Sequence, residues 1–214
     1  MWTLIRLAAA LGVVLCASAA RAQEPPPPIG PFVVDLHATV PQFPSENQLL
    51  ADSRGMRLAE LPGNGLGLQM GAHVYFLHWR AVTIGAGGEF ATGRARQTPL
   101  EGQTTVRAAE ETLTSIAPQL SFNFGTGSGW SYLSGGIAKS RWQTVPEGAD
   151  LLPGDLAWVK TINYGGGARW FAKPHLAFSF DVRFYAINPG PVNGDLPQTP
   201  RTTLMVIGAG ISLK

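Results

Sequence analysis

The sequence predicts an all-β chain that forms a closed, eight-stranded, antiparallel up-and-down transmembrane β-barrel. Three observations carry this reading. Apolar residues alternate with small or polar ones, with period two, in eight segments of about ten residues. Long and short connections alternate between those segments. Only 14% of the 214 residues are charged, against roughly a quarter in soluble domains. Period two sends successive side chains to opposite faces of a strand, and an even number of antiparallel strands closes without leaving an edge.

The N-terminus is set apart from this pattern. Arg6 lies in a short n-region, the stretch from Leu7 to Ala19 is apolar and uncharged, and Ala20-Arg21-Ala22 supplies small residues around a cleavage point. Residues 1–22 therefore read as a secretory signal peptide, since the apolar stretch falls short of the ~20 residues of a spanning helix. Cys16 would head an acylated chain in a lipoprotein, but Leu15 precedes it where such signals carry a small residue. Cleavage removes Arg6, Arg21, Cys16 and no acid, so the formal charge of +2 becomes zero and the only thiol is lost. A disulfide framework and a cysteine-built zinc site are excluded, and a neutral chain is not expected to bind nucleic acid. Residues 23–31, with Pro25 to Pro28, read as a Pro-rich periplasmic spacer, and residues 32–214 as the barrel.

The segments follow in order. In the first, Phe32, Val34, Leu36, Ala38 and Val40 oppose Val33, Asp35, His37 and Thr39. The second sets Leu66, Leu68, Met70, Ala72, Val74 and Phe76 against Gly67, Gln69, Gly71, His73 and Tyr75. In the third, Val82, Ile84, Ala86 and Phe90 oppose Thr83, Gly85, Gly87 and Glu89. The fourth sets Ile116, Leu120, Phe122 and Phe124 against Gln119, Ser121 and Asn123, with Pro118 removing one ladder donor. The fifth has Leu133, Gly135 and Ile137 against Tyr132, Ser134, Gly136 and Ser140. The sixth has Ile162, Tyr164, Ala168 and Trp170 against Asn163, Gly165, Gly167 and Arg169. The seventh alternates most regularly, with Leu176, Phe178, Phe180, Val182 and Phe184 against Ala177, Ser179, Asp181, Arg183 and Tyr185. The eighth sets Met205, Ile207, Ala209, Ile211 and Leu213 against Gly208, Gly210 and Ser212. Residues 106–113 alone carry a weak helical spacing. Long connections are expected at 41–65, 92–112, 143–159 and 188–202, and short ones near 78–80, 125–129 and 172–174, with both termini on the short-turn side.

The face opposite the aliphatic stripe is rich in Gly and uncharged polar residues rather than Lys and Glu, which marks it as a lumen and the apolar face as lipid-facing. Trp79, Trp130, Trp142, Tyr164 and Trp170 fall near strand ends and are expected in interfacial aromatic girdles. Asp35, His37, Glu89, Gln119, Asn123, Arg169, Asp181 and Arg183 all fall on the inner face, where charges must pair. They are expected to form a structural network that plugs the lumen, because eight strands leave little open space. Matching faces across residues 172–174 would place Gly165 opposite Asp181 and Asn163 opposite Arg183. Likewise Tyr75 would meet Gly85, and His73 would meet Gly87.

The segments SIAPQLSFNF (115–124), YLSGG (132–136), NYGGGAR (163–169) and FDVRF (180–184) carry a resemblance of pattern. The chain resembles the eight-stranded outer-membrane β-barrel family of the OmpA/OmpX type over residues 32–214. It departs from the aromatic last residue common in that family, ending Ile211-Ser212-Leu213-Lys214. The resemblance implies an outer-membrane location with periplasmic termini. The partners it implies are outer-membrane lipid, lipopolysaccharide and the barrel insertion machinery.

The expected role is structural or loop-presenting; the alternatives are a small gated pore, a lipid A-modifying enzyme and a soluble lipocalin-like binder. No enzyme activity, cofactor or metal is expected. His37 and His73 have no further ligand at metal spacing. His175 and Ser179 lie about 13 Å apart along one strand, beyond hydrogen-bond reach. Arg94, Arg96, Glu101, Arg107, Glu110 and Glu111 read as a solvated loop of mixed charge, and the sequence names no ligand for any loop.

Overall fold

The computed structural model describes residues 27–99, 105–192 and 194–214; the expected signal peptide and Glu101 lie outside them. The described chain is a closed antiparallel barrel whose eight strands pair in sequence order. They are β1 (Phe32–Gln42), β2 (Leu66–Trp79), β3 (Val82–Gln97), β4 (Ala109–Thr126), β5 (Gly129–Pro146), β6 (Val159–Lys173), β7 (Leu176–Ile187) and β8 (Thr202–Leu213). Pairs from Val34↔Leu213 to Gln42↔Met205 join β1 to β8 and close the ring.

Alternation decides which face is which. The outward residues stay uncovered, Phe178 at 67% exposure and Ile137 at 62%, while inward Asp181 is at 0% and Arg169 at 1%. A barrel that leaves its aliphatic and aromatic side chains uncovered and buries its ions has its apolar solvent outside.

The structure departs from the sequence reading in three places. First, β3 and β4 stay paired out to Gln97↔Ala109, and β5 follows β4 to Pro146. The connections expected from residues 92 and 143 onward therefore begin later, and the helical spacing at 106–113 gives way to strand from Ala109. Two flanking ladders outweigh a weak local preference. Second, the β6–β7 register is offset by two from the expected one. Gly165 pairs with Arg183, Gly167 with Asp181 and Asn163 with Tyr185: the chain turns later than expected, at Pro174-His175 with Lys173 opposite Leu176, and the irregularity between Phe171 and Lys173 takes back one residue, which restores the facing. The expected Tyr75↔Gly85 and His73↔Gly87 pairs are present. Third, the long connections carry structure of their own. Residues 43–65 hold helix α1 (Gln48–Ser53), capped by the Asn47 side chain accepting from Leu50 N, and a 3-10 turn at Leu58–Glu60. Residues 147–158 hold the one-turn helix α2 (Pro153–Leu156).

Candidate functional site

The lumen is the chemically distinctive part of the molecule, and it is filled in three layers. The middle layer is ionic. Arg183, on β7, lies 2.8 Å from Glu89 and 3.0 Å from Asp181, and it donates to Asn163 Oδ1 and Ser134 Oγ, each at 2.9 Å. Glu89 also accepts from Tyr185 Oη (2.7 Å), Asn163 Nδ2 (2.8 Å), Gln69 Nε2 (3.0 Å) and Gln119 Nε2 (3.1 Å). Next to it, Arg169 grips Asp35 with two bonds of 2.8 and 2.6 Å, and Ser212 Oγ donates to the same carboxylate at 2.5 Å. Tyr132 joins the two clusters: its hydroxyl donates to Asp181 at 2.6 Å, and the Arg169 guanidinium stands 3.8 Å from its ring.

Two guanidiniums thus face three carboxylates, and the excess negative charge is met by phenol and amide donors. Room for these long side chains comes from their neighbours. Asp181 sits between Gly167 and Gly208, and Ser179 and His37 flank Gly210.

The lowest layer closes the short-turn end. Ile29, Val33, Tyr75 and Trp130 are buried together there. Trp130 stacks on Phe171 at 4.9 Å, with the Lys214 ammonium 3.9 Å from the Phe171 ring. Residues 27–31, the described part of the expected 23–31 spacer, lie across this end. The carbonyls of Pro27 and Pro31 accept from Gly127 N (2.6 Å) and Tyr75 N (2.8 Å), and Ile29 O is 3.2 Å from His78 Nε2.

The uppermost layer is an apolar cork. Phe43, Leu50, Ala51, Met56 and Leu61, all from the first long connection, pack inside against Leu113, Trp142, Tyr185, Ile187, Leu204 and Val206. Two ion pairs pin it. Arg54 meets Asp155 of α2 at 3.0 Å with both side chains buried, and Glu60 meets Arg107 at 3.1 Å. Burial pushes the Glu60 carboxyl up, but bonds from the Arg107 side chain and from the Arg57 and Arg107 backbone N–H groups outweigh it and hold it down to about 2. Beneath the cork, Glu111 accepts from Trp142 Nε1 (2.9 Å) and Thr144 Oγ1 (3.1 Å).

All eight polar residues singled out from the sequence point inward and are buried. Six of them, Asp35, Glu89, Gln119, Arg169, Asp181 and Arg183, share the middle layer. Asn123 lies nearer the short turns, bonded to Thr83 O (3.1 Å) and Ser121 Oγ (3.0 Å). His37 pairs with Ser179, its Nε2 2.7 Å from the hydroxyl. That pair comes from strands 142 positions apart meeting across β8, which a search along one strand could not find.

The His37–Ser179 pair has only part of what nucleophilic catalysis needs. Among the described residues His37 Nδ1 has no partner to orient the ring, and both side chains are sealed from solvent. Among the described residues, no group of three His, Cys, Asp or Glu side chains is placed to hold a metal.

The girdle needs correction. Trp79, Trp170 and Tyr164 face outward, but Trp130 and Trp142 are buried in the lumen, at 3% and 5% exposure. Their parity places them there: both are an even number of residues from inward-facing Tyr132 and Ser140, and side-chain period two leaves no choice. The outward aromatic residue at the long-loop end of β6 that the sequence reading missed is Trp158, 5.4 Å from the Arg141 guanidinium.

The barrel can be set beside known structures. Neisserial surface protein A aligns with a TM-score of 0.51 at 16% identity, covering 86% of this chain and 96% of that one. OprG, an outer membrane protein of Pseudomonas aeruginosa, aligns with a TM-score of 0.51 at 12% identity over 88% and 97%. The fold is that of the eight-stranded outer-membrane barrels. Ail, the attachment invasion locus protein of Yersinia pestis, solved with a heparin analogue, aligns with a TM-score of 0.50 at 12% identity over 86% and 99%. In sequence, no family model and no curated protein matches the chain.

Proposed function

We propose that the chain is an outer-membrane barrel without an open channel, a rigid base that holds long loops at the cell surface, its termini in the periplasm. The observation that carries this reading is the bridge made by Arg183 between Glu89 and Asp181, with an apolar layer above it and another below. An ion crossing such a lumen would have to displace charge-assisted bonds sealed from water, each costly to break. The apolar belt, the alternation of tight turns with long loops and the outer-membrane folds that align with it support the location.

Purified barrel in planar bilayers tests the channel half of the proposal. Current at the level of bare lipid is expected, and reproducible single-channel steps would overturn it. Membrane fractionation with heat-modifiable gel migration tests the location. Recovery of folded protein from the soluble periplasm would refute the membrane assignment.

A further inference from the structure

The outer surface carries an unneutralised cationic site at the upper edge of the lipid belt. Ile116, Ile137 and Ile162 are outward-facing and uncovered. One step beyond the Ile137–Ile162 pair toward the long loops, on the same face, come Lys139 on β5 and Lys160 on β6, directly paired across the ladder, with Ile116 of β4 opposite Lys139 on its other side. Arg141 follows on β5. Like charges set opposite one another on adjacent strands repel, so this arrangement calls for an anion.

Among the described residues, none of the three cations has a carboxylate within ion-pair distance, whereas the neighbouring outward cations Arg94 and Arg96 are paired with Glu110 and Glu147. Arg141 lies against Trp158, with its Nε shielded from solvent and lacking a hydrogen-bond partner among the described residues. Two isolated lysines could each reach up to bulk water. A face-to-face pair beside an arginine with an unsatisfied donor is better met by one multivalent anion.

A second observation fixes the kind of molecule. The outward row of β6 runs from Lys160 through Ile162 to Tyr164 and Gly166, and there it enters an apolar groove of about 800 Å³ lined also by Leu133, Val182 and Phe184. Gly166 keeps this groove open: a Cβ there would come within 2.8 Å of the Leu133 side chain. Charge above and an apolar trench below, on one strand, describe an amphiphile.

We propose that Lys139, Lys160 and Arg141 bind the headgroup phosphate of a lipid in the loop-side leaflet, with an acyl chain lying over Ile162 into the groove beside Gly166. The proposal rests on the membrane orientation given under Proposed function.

The test is native mass spectrometry of the detergent-folded protein, with diphosphoryl lipid A, its dephosphorylated form and inorganic phosphate as separate probes. The wild type is expected to retain diphosphoryl lipid A. The K139Q/K160Q variant is expected to retain it at least tenfold less, R141Q to be weakened in the same direction, and K173Q at the short-turn end to be unchanged. Equal retention by the wild type and K139Q/K160Q would overturn the site. Retention of the dephosphorylated lipid as strongly as the phosphorylated one would overturn the headgroup contact, and equal binding of inorganic phosphate would overturn the amphiphile. Heat-modifiable migration of every variant separates these outcomes from a failure of the barrel itself. A folded membrane barrel that retains no lipid sinks this inference alone.

Discussion

Replacing Arg183 with methionine isolates the central claim about the lumen. Methionine is neutral and unbranched and keeps most of the apolar stem, so the packing around the stem is retained while one cation and all its donors disappear. Glu89 and Asp181, buried at 5% and 0% exposure, are left facing each other. Stranding one partner of a buried pair costs about 3–5 kcal/mol. The lower end applies here, because Glu89 keeps four neutral donors and Asp181 keeps Tyr132. With a urea slope of about 2 kcal/mol/M, a loss of about 3 kcal/mol moves the unfolding midpoint of the detergent-folded barrel down by about 1.5 M.

The triple variant R183M/E89Q/D181N removes the stranded charges as well. It should recover to within about 1 kcal/mol of wild type, because whole ion sets replaced by neutral groups are often near neutral in effect. A loss under about 1 kcal/mol in R183M, or a triple variant as unstable as the single one, would refute the account of the lumen as an interdependent charge network.

Three further outcomes follow from the same geometry. Gly210→Ala sets a Cβ 2.0 Å from Leu36 O and 2.8 Å from His37 Cα at the closing seam; a loss of about 1–3 kcal/mol should lower the temperature at which the folded gel band disappears. Arg54→Met leaves Asp155 buried without its cation; limited proteolysis within residues 43–61 should speed up at least tenfold, equivalent to about 1.4 kcal/mol, while the barrel stays intact. The Glu60 carboxyl, held at about 2 in the fold against an ordinary 4.5, contributes its stabilisation above 4.5 and loses it as pH falls toward 2. The amide-exchange protection that wild type holds over Glu60→Gln in the first long connection should therefore be constant from neutral pH down to about 4.5 and shrink below that.

The strand pattern was legible because lipid on one side and packed polar groups on the other impose period two without relief. The inward ions could be named for the same reason. Position near a strand end marks Trp130 and Trp142 as interfacial, whereas counting from Tyr132 and Ser140 turns both inward. The cork lies in a segment that its length marks only as a connection, yet Phe43, Leu50, Ala51, Met56 and Leu61 are more apolar than a solvated connection needs, and that is a usable signal. The His37–Ser179 contact had no local signal. It depends on which strands flank β8 after closure, and on Gly210 carrying no side chain between them.

The β6–β7 register shows why one part of the fold could not be fixed from local pairing. The register expected from turn length and the observed one differ by two residues, so both keep every side chain on its proper face. Gly165 and Gly167 would accept Asp181 in either. What separates them lies across the barrel. In the observed register Asn163 and Tyr185 are directly opposite, and both donate to the same Glu89 oxygen, at 2.8 and 2.7 Å. In the other, Tyr185 would move about 7 Å along the ladder, opposite Thr161, and Asn163 would oppose Arg183. One oxygen on β3 could no longer receive both donors. The turn at Pro174-His175 and the irregularity between Phe171 and Lys173 therefore act together. They set the offset that lets two strands serve a carboxylate on a third, so the ionic layer selects between registers that the apolar belt treats alike.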